Sequence, residues 1–187
     1  MVRIEHVTAQ DAVTRFKSPL VHVFASARVP GGGWRSGVAG QEEDLCRASD
    51  LGHRLETDAE SAAFYEAGER AGPLNTDLAL LMAGVRLHRT GHIFHALLCA
   101  APQAAHYYPD RSVIRAAFSR RIRNIIAVAE ALQNPLILGA WGCGHFRNDP
   151  CTVAEELVQA AKETDLDILF AIPDRFLVEL FLEHLSR

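Results

Sequence analysis

The apolar positions of the chain fall into two periods. Leu20 to Ala25, Leu136 to Ala140 and Ile168 to Ile172 are short, nearly unbroken apolar runs and predict buried strands. Val2, Ile4 and Val7 approximate a first strand, and Thr8 with Asp11 makes a capping-box-like start for a short helix through Phe16, closed by Pro19. Ala79 to Arg89 and His92 to Ala100 predict two strands joined as a hairpin at Thr90-Gly91, the second closed by Pro102. From Val113 to Leu132 the period changes: Ile114, Phe118, Ile122, Ile125, Ile126 and Ala129 recur at i+3 and i+4, which predicts an amphipathic helix with Arg115, Arg120 and Arg123 on its solvated face. Asp149 and Pro150 predict the N-cap and first residue of another helix, and Asp174 to Leu185 a C-terminal amphipathic one. Gly52 to Asp77, with Phe64-Tyr65 and Gly72-Pro73, carries no period that assigns it. Strands alternating with helices predict an α/β layered domain with a mixed sheet.

Composition narrows the functional classes. The chain has 187 residues, 49% of them hydrophobic, which suits one domain over residues 1–187 with a sizeable core. A net charge of −4 gives no bulk field for nucleic acid, so any phosphate must be held locally, and no sequence-specific nucleic-acid binding is expected. Lys17 and Lys162 stand against 17 arginines, a bias from which no mechanism follows. Cys46, Cys99, Cys143 and Cys151 are too irregular for a disulfide scaffold, and Cys143-x-His145 with Cys151 is no zinc pattern, so neither metal nor cofactor is expected. The N-terminus lacks a signal-peptide core and Leu78 to Val85 is too short to span a bilayer, so the expected setting is cytoplasmic and away from membranes.

The chemistry concentrates after the Leu20 run. Gly31, Gly32 and Gly33 follow Pro30 and end the strand, and without Cβ atoms their N–H groups can face a ligand oxygen. After Gly40 a helix is expected, with Gln41, Glu42, Glu43 and Asp44 in its first turn and Leu45, Ala48 and Leu51 at helical spacing. Acids at a helix start and a glycine turn are each ordinary when met alone. Here they stand in order, separated by the seven residues Trp34 to Gly40. The second glycine-rich stretch, Gly139-Ala140-Trp141-Gly142-Cys143-Gly144-His145-Phe146-Arg147-Asn148, lies between a strand and a helix, a phosphate-site arrangement that does not spell the dinucleotide fingerprint.

Three glycines, a short spacer and Gln41-Glu42-Glu43 resemble the signature of the microbial-type poly(ADP-ribose) glycohydrolases, a branch of the macrodomains. Leu138-Gly139-Ala140-Trp141-Gly142-Cys143-Gly144, an aromatic and Asn148-Asp149-Pro150 resemble that family's diphosphate loop, and Phe24-Ala25-Ser26-Ala27, Ala100-Ala101-Pro102 and Phe170-Ala171-Ile172 follow in the same order. The resemblance runs from about residue 20 to 175 and implies a three-layer macrodomain-like fold. Val23 and Val29 stand where many relatives carry asparagine, and His88-Arg89-Thr90 replaces a more usual Phe-Arg-Asp. Relatives often carry an N-terminal helical extension, and with Val2 already in the first expected strand none is expected here.

The resemblance implies cleavage of the ribose–ribose O-glycosidic bond of poly(ADP-ribose) by Glu43, with Glu42 on ribose hydroxyls. It also implies substrate contacts from Gly31, Gly32, Gly33, Gln41, Gly142, Cys143, Gly144, Phe146 and Asn148. Adjacent on a helix, Glu42 and Glu43 are expected to point in different directions and not to flank one bond as paired glycosidase carboxylates do. Glu43 would then act as acid and afterwards as base, which needs a raised pKa against the helix dipole. Phe146 reads either as a platform for the terminal ribose or as core. Cys143 beside His145 reads as incidental rather than as an activated thiol. The partners implied are poly(ADP-ribose) or ADP-ribosylated protein. The alternatives are removal of single ADP-ribose units, and an ADP-ribose-binding macrodomain without turnover.

Overall fold

A computed structural model of the chain describes residues 1–104 and 111–187. The strands are β1 (Val2–Glu5), β2 (Leu20–Phe24), β3 (Leu80–Arg86), β4 (Ile93–Cys99), β5 (Leu136–Leu138) and β6 (Ile168–Ala171). The helices are α1 (Ala9–Val13), α2 (Gln41–Ala48), α3 (Leu51–Thr57), α4 (Ala59–Arg70), α5 (Arg111–Leu132), α6 (Pro150–Lys162) and α7 (Arg175–Ser186). The strands form one sheet in the order β1-β6-β5-β2-β4-β3, parallel except where β3 meets β4.

Period-2 alternation divides the strands between two cores. Leu20, Ile168 and Phe170 face Phe118, Ile122 and Leu157 of α5 and α6, while Val21, Val23 and Leu169 face Leu45, Leu55 and Phe64 of α2, α3 and α4. This is the three-layer arrangement expected, with α7 closing the first core through buried Phe181. Thr8, Asp149 and Asp174 cap α1, α6 and α7, each accepting from the N–H three residues on.

Several boundaries differ from the sequence pattern for physical reasons. Leu51 does not continue α2. The helix stops because Ser49 Oγ turns back to the Leu45 carbonyl at 2.6 Å and Asp50 exchanges backbone and side-chain hydrogen bonds with Arg86 at the end of β3. The unassigned stretch holds α3 and α4, both dominated by tertiary packing rather than by a clean apolar stripe. The expected hairpin forms with shorter strands, and a bulge between Met82 and Val85 holds Gly84 at φ +66°. Val7 lies beyond β1, α1 ends at Val13 before Phe16, and α5 begins at Arg111 rather than Val113.

Candidate active site

Chain order places a switch point between β2 and β5: from β2 the chain proceeds towards β4, and from β5 towards β6 on the opposite side. In an open parallel sheet the crevice at the carboxyl ends of two such strands is the natural ligand position. Both glycine loops leave the sheet there, one after β2 and one after β5. Pairing between these strands covers only Leu20↔Leu136 and Val21↔Ile137. Beyond it the side-chain amide of Gln41 takes over, accepting from the Phe24 N–H at 2.9 Å and donating to the His22 carbonyl at 2.8 Å. Gln41, expected on the substrate, therefore ties the start of α2 to β2.

That tie brings Glu42 and Glu43 to the carboxyl end of β2, beside the first glycine loop. Glu42 is 2% exposed, accepting from the Ser26 N–H through Oε2 at 2.5 Å and from the Tyr65 hydroxyl through Oε1 at 2.9 Å. Burial pushes its carboxyl up to about 8, against those hydrogen bonds, which favour the ionised form, and with a smaller contribution from Glu43. Glu43 is half-buried and accepts from the Gly33 N–H at 3.2 Å. Asp44 is exposed and pairs with Arg47 at 2.5 Å, outside the site.

The expectation that the two glutamates point apart needs correction. They differ in depth, but a Cβ on Gly32 would lie 3.0 Å from Glu43 Cδ and 3.3 Å from Glu42 Oε2, so both carboxyls close on the same glycine. Gly32 has φ +59° and leaves the space they occupy. Sharing one side, they still do not flank a bond.

The two loops use their amides differently. In the first loop every glycine N–H is already engaged: Gly31 donates to Tyr65 Oη at 3.3 Å, Gly32 to the Val29 carbonyl at 2.9 Å and Gly33 to Glu43. The reading of these amides as open to a ligand is thus revised, because they hold the loop and the acid. In the second loop the N–H groups of Gly142, Gly144, His145 and Phe146 donate to none of the described residues. Gly144 is exposed and a Cβ there would meet nothing within 4 Å.

The remaining site residues divide between support and access. Gly142, at φ +77°, lets Asn148 Nδ2 and Ala101 Cβ approach within 2.6 and 2.8 Å of where its Cβ would stand. Asn148 is buried, donating to the Pro102 and Gly142 carbonyls at 2.8 and 3.1 Å, so it binds the second loop to the end of β4. Phe146 is half-buried and packs on the core of the α5 and α6 layer, as its reading as core expects, with part of the residue left exposed. Burial, with Asp149 nearby, pushes the Cys143 thiol up to about 12, which leaves it unactivated. No group of three or more His, Cys, Asp or Glu side chains stands at metal-binding separation among the described residues.

Sequence reasoning missed Tyr65, Ser26 and the buried Arg121. Tyr65 sits in the stretch without a period, Ser26 contributes its backbone, and Arg121 was hidden by the arginines around it on α5.

Sheet order, helix layers and two glycine loops leaving the sheet at the switch point define a macrodomain-like α/β domain. The family model "Microbial-type PARG, catalytic domain" matches residues 2–90, the part that contains the first glycine loop and both glutamates. Poly(ADP-ribose) glycohydrolase from Deinococcus radiodurans, solved in complex with ADP-ribose, is 27% identical, covers 100% of this chain and 84% of its own, and superposes with a TM-score of 0.87. The Thermomonospora curvata poly(ADP-ribose) glycohydrolase bound to the inhibitor ADP-HPD is 27% identical over 97% of this chain and 78% of its own, with a TM-score of 0.86. No curated protein sequence matches. The chain is thus similar to the microbial-type poly(ADP-ribose) glycohydrolases, in sequence over the part that carries the first glycine loop and the acids and in fold over its length.

Proposed function

We propose that the chain, as a single domain, hydrolyses the ribose–ribose O-glycosidic bond of poly(ADP-ribose) and releases ADP-ribose. The observation that carries this is the placing of Glu43: half-buried beside the first glycine loop at the switch point, held by the Gly33 N–H and backed by a second, fully buried carboxyl. Glu43 protonates the departing ribose oxygen as the glycosidic C–O bond breaks. The oxocarbenium left behind is attacked by water, whose proton returns to Glu43. One carboxyl serving twice fits two acids that share a side.

The ligand diphosphate is assigned mainly to the open amides of Gly142, Gly144, His145 and Phe146, which form an anion-receptive turn. Gly31, Gly32 and Gly33 shape the floor beneath the scissile bond, and Phe146 is placed to pack on the terminal ribose. The ribose-hydroxyl contact assigned to Glu42 has to be made past Gly32, the face it shares with Glu43. Four free cysteines fit a cytoplasmic setting, and among the described residues no helix is long and apolar enough to cross a membrane.

The test is single-turnover cleavage of labelled poly(ADP-ribose) and of a mono-ADP-ribosylated protein by wild type and Glu43→Gln, with ADP-ribose binding measured for both. Glu43→Gln keeps the shape of the side chain and loses the transferable proton, so cleavage falls by at least about 10⁴-fold while binding persists. Near-wild-type cleavage by Glu43→Gln refutes the mechanism. Cleavage of the mono-ADP-ribosylated protein alone makes the enzyme a mono-ADP-ribosyl hydrolase, and binding without any turnover makes it a reader.

A further inference from the structure

Tyr65 lies on α4 and is 3% exposed. Its hydroxyl donates to Glu42 Oε1 at 2.9 Å and accepts from the Gly31 N–H at 3.3 Å. A phenol has one proton, so both bonds are made at once only with the hydroxyl in this position. The ring is fixed on both sides of the sequence. Phe64 meets it edge-on with centroids 5.1 Å apart, and Gly68, one turn later, brings α4 so close to the loop after β2 that a Cβ would lie 2.8 Å from the Ala27 carbonyl carbon. The glycine loop and the acid pair, which come from separate segments, are thus joined through one oxygen.

We propose that Tyr65 is a positioning residue of the carboxyl pair: its hydroxyl fixes Glu42 against Gly31 and thereby sets how Glu43 meets the glycine loop. This rests on the glycohydrolase reading of the same site. The groups facing Glu42 are Glu43 and Cys46 on α2, Tyr65 on α4, and the Ser26 and Gly31 N–H groups after β2. No arginine, lysine or histidine side chain hydrogen-bonds to it among the described residues. Tyr65 is therefore its one side-chain donor, and removing the hydroxyl favours the protonated acid.

The test is a double-mutant cycle of Tyr65→Phe and Glu42→Gln, read by single-turnover cleavage of poly(ADP-ribose), with thermal unfolding alongside. The Glu42 carboxyl is also titrated by ¹³C NMR in wild type and Tyr65→Phe. Tyr65→Phe is expected to slow cleavage about tenfold or more, to leave ADP-ribose affinity within about threefold, and to have under about twofold effect once Glu42 is already Gln. The Glu42 titration midpoint should move to higher pH. Equal slowing in both backgrounds, or an unmoved midpoint, overturns the proposal. If Tyr65→Phe does not fold, site-specific 3-fluorotyrosine at position 65 keeps the shape with a stronger donor, and the midpoint should move down; no movement again overturns it. A wild type inactive on every ADP-ribosylated substrate refutes the glycohydrolase reading instead, and the NMR titration still decides whether Tyr65 holds Glu42.

Discussion

Replacing Gly32 by alanine tests whether the first loop exists to make room for the acids. The glycine has φ +59°, a left-handed conformation that costs an alanine about 1–2 kcal/mol. The new methyl would stand inside van der Waals contact of Glu43 Oε1, 3.0 Å from Glu43 Cδ and 3.3 Å from Glu42 Oε2. The end of a glutamate side chain yields more readily than backbone, so the carboxyl moves by roughly 1 Å, and displacement of that size from a reacting position costs on the order of 10²-fold in rate. In a domain of this size the backbone strain lowers Tm by about 2–8 °C. Gly144→Ala is the matched control: its φ is not left-handed and a Cβ there meets nothing within 4 Å. Single-turnover cleavage and thermal unfolding of the two variants are the measurements. Gly32→Ala with wild-type turnover, or Gly144→Ala with the larger loss of stability, would refute the reasoning.

The buried Glu42 gives a pH prediction for stability. Its folded carboxyl lies at about 8 against 4.5 for the free side chain, so the folded protein keeps a proton that the unfolded chain has lost, and stability falls as pH rises from about 4.5 towards about 8. Glu42→Gln cannot lose that proton, and urea unfolding at the two ends of this window should show the variant declining less than wild type. Arg121→Met is expected to destabilise by about 3–5 kcal/mol, because the guanidinium is 1% exposed and donates to Asp77 and to the carbonyls of Leu74, Asn75 and Ala100. Arg115→Ala, which breaks only ion pairs to Glu155 and Glu156 that are open to solvent on the arginine side, should cost under about 1 kcal/mol in the same assay.

What the sequence disclosed and what it hid follow from how local each determinant is. The strands in the centre of the sheet are buried on both faces, so their apolar runs announce them, and the caps at Thr8, Asp149 and Asp174 act within three residues. The break between α2 and α3 is not local: Ser49 and Asp50 leave the helix because the end of β3, far along the chain, offers Arg86 and Leu87 as partners. Arg121 and Arg120 are neighbours in sequence, yet one turns into the core and the other to solvent, both meeting Asp77. A helical wheel that marks arginine as surface cannot separate them, since the distinction is made by the carbonyls at the end of β4 and in the stretch before β3. In the site, residue types and spacing marked Glu42 and Glu43, but the depth of Glu42 depends on Tyr65, in a stretch without a period, and on the backbone N–H of Ser26, which a residue type does not reveal.

The glycine loops look alike in sequence, each a cluster of small residues after a buried strand, but they engage their N–H groups differently, which fits opposite electrostatic work. The first turns its N–H groups inwards, one of them on Glu43, and so favours a fixed carboxyl beside the sugar position. The second leaves the N–H groups of Gly142, Gly144, His145 and Phe146 unpartnered among the described residues, which favours an anion. If both loops gripped phosphate, a diphosphate would lie beside Glu43, whose ionised form would oppose binding by like charge. On the proposed division of work, the anion would be held on the β5 side and the bond to be broken would reach the β2 side, with the uncharged ribose over Gly32, where the glutamates converge. On this reading the anion-binding loop can lose affinity without losing chemistry, and the acid-binding loop the reverse. The pairing of Gly144 and Gly32 substitutions with bulkier residues separates the two: Gly144→Val should weaken ADP-ribose binding with little change in single-turnover cleavage at saturation, whereas Gly32→Ala should slow cleavage while ADP-ribose still binds.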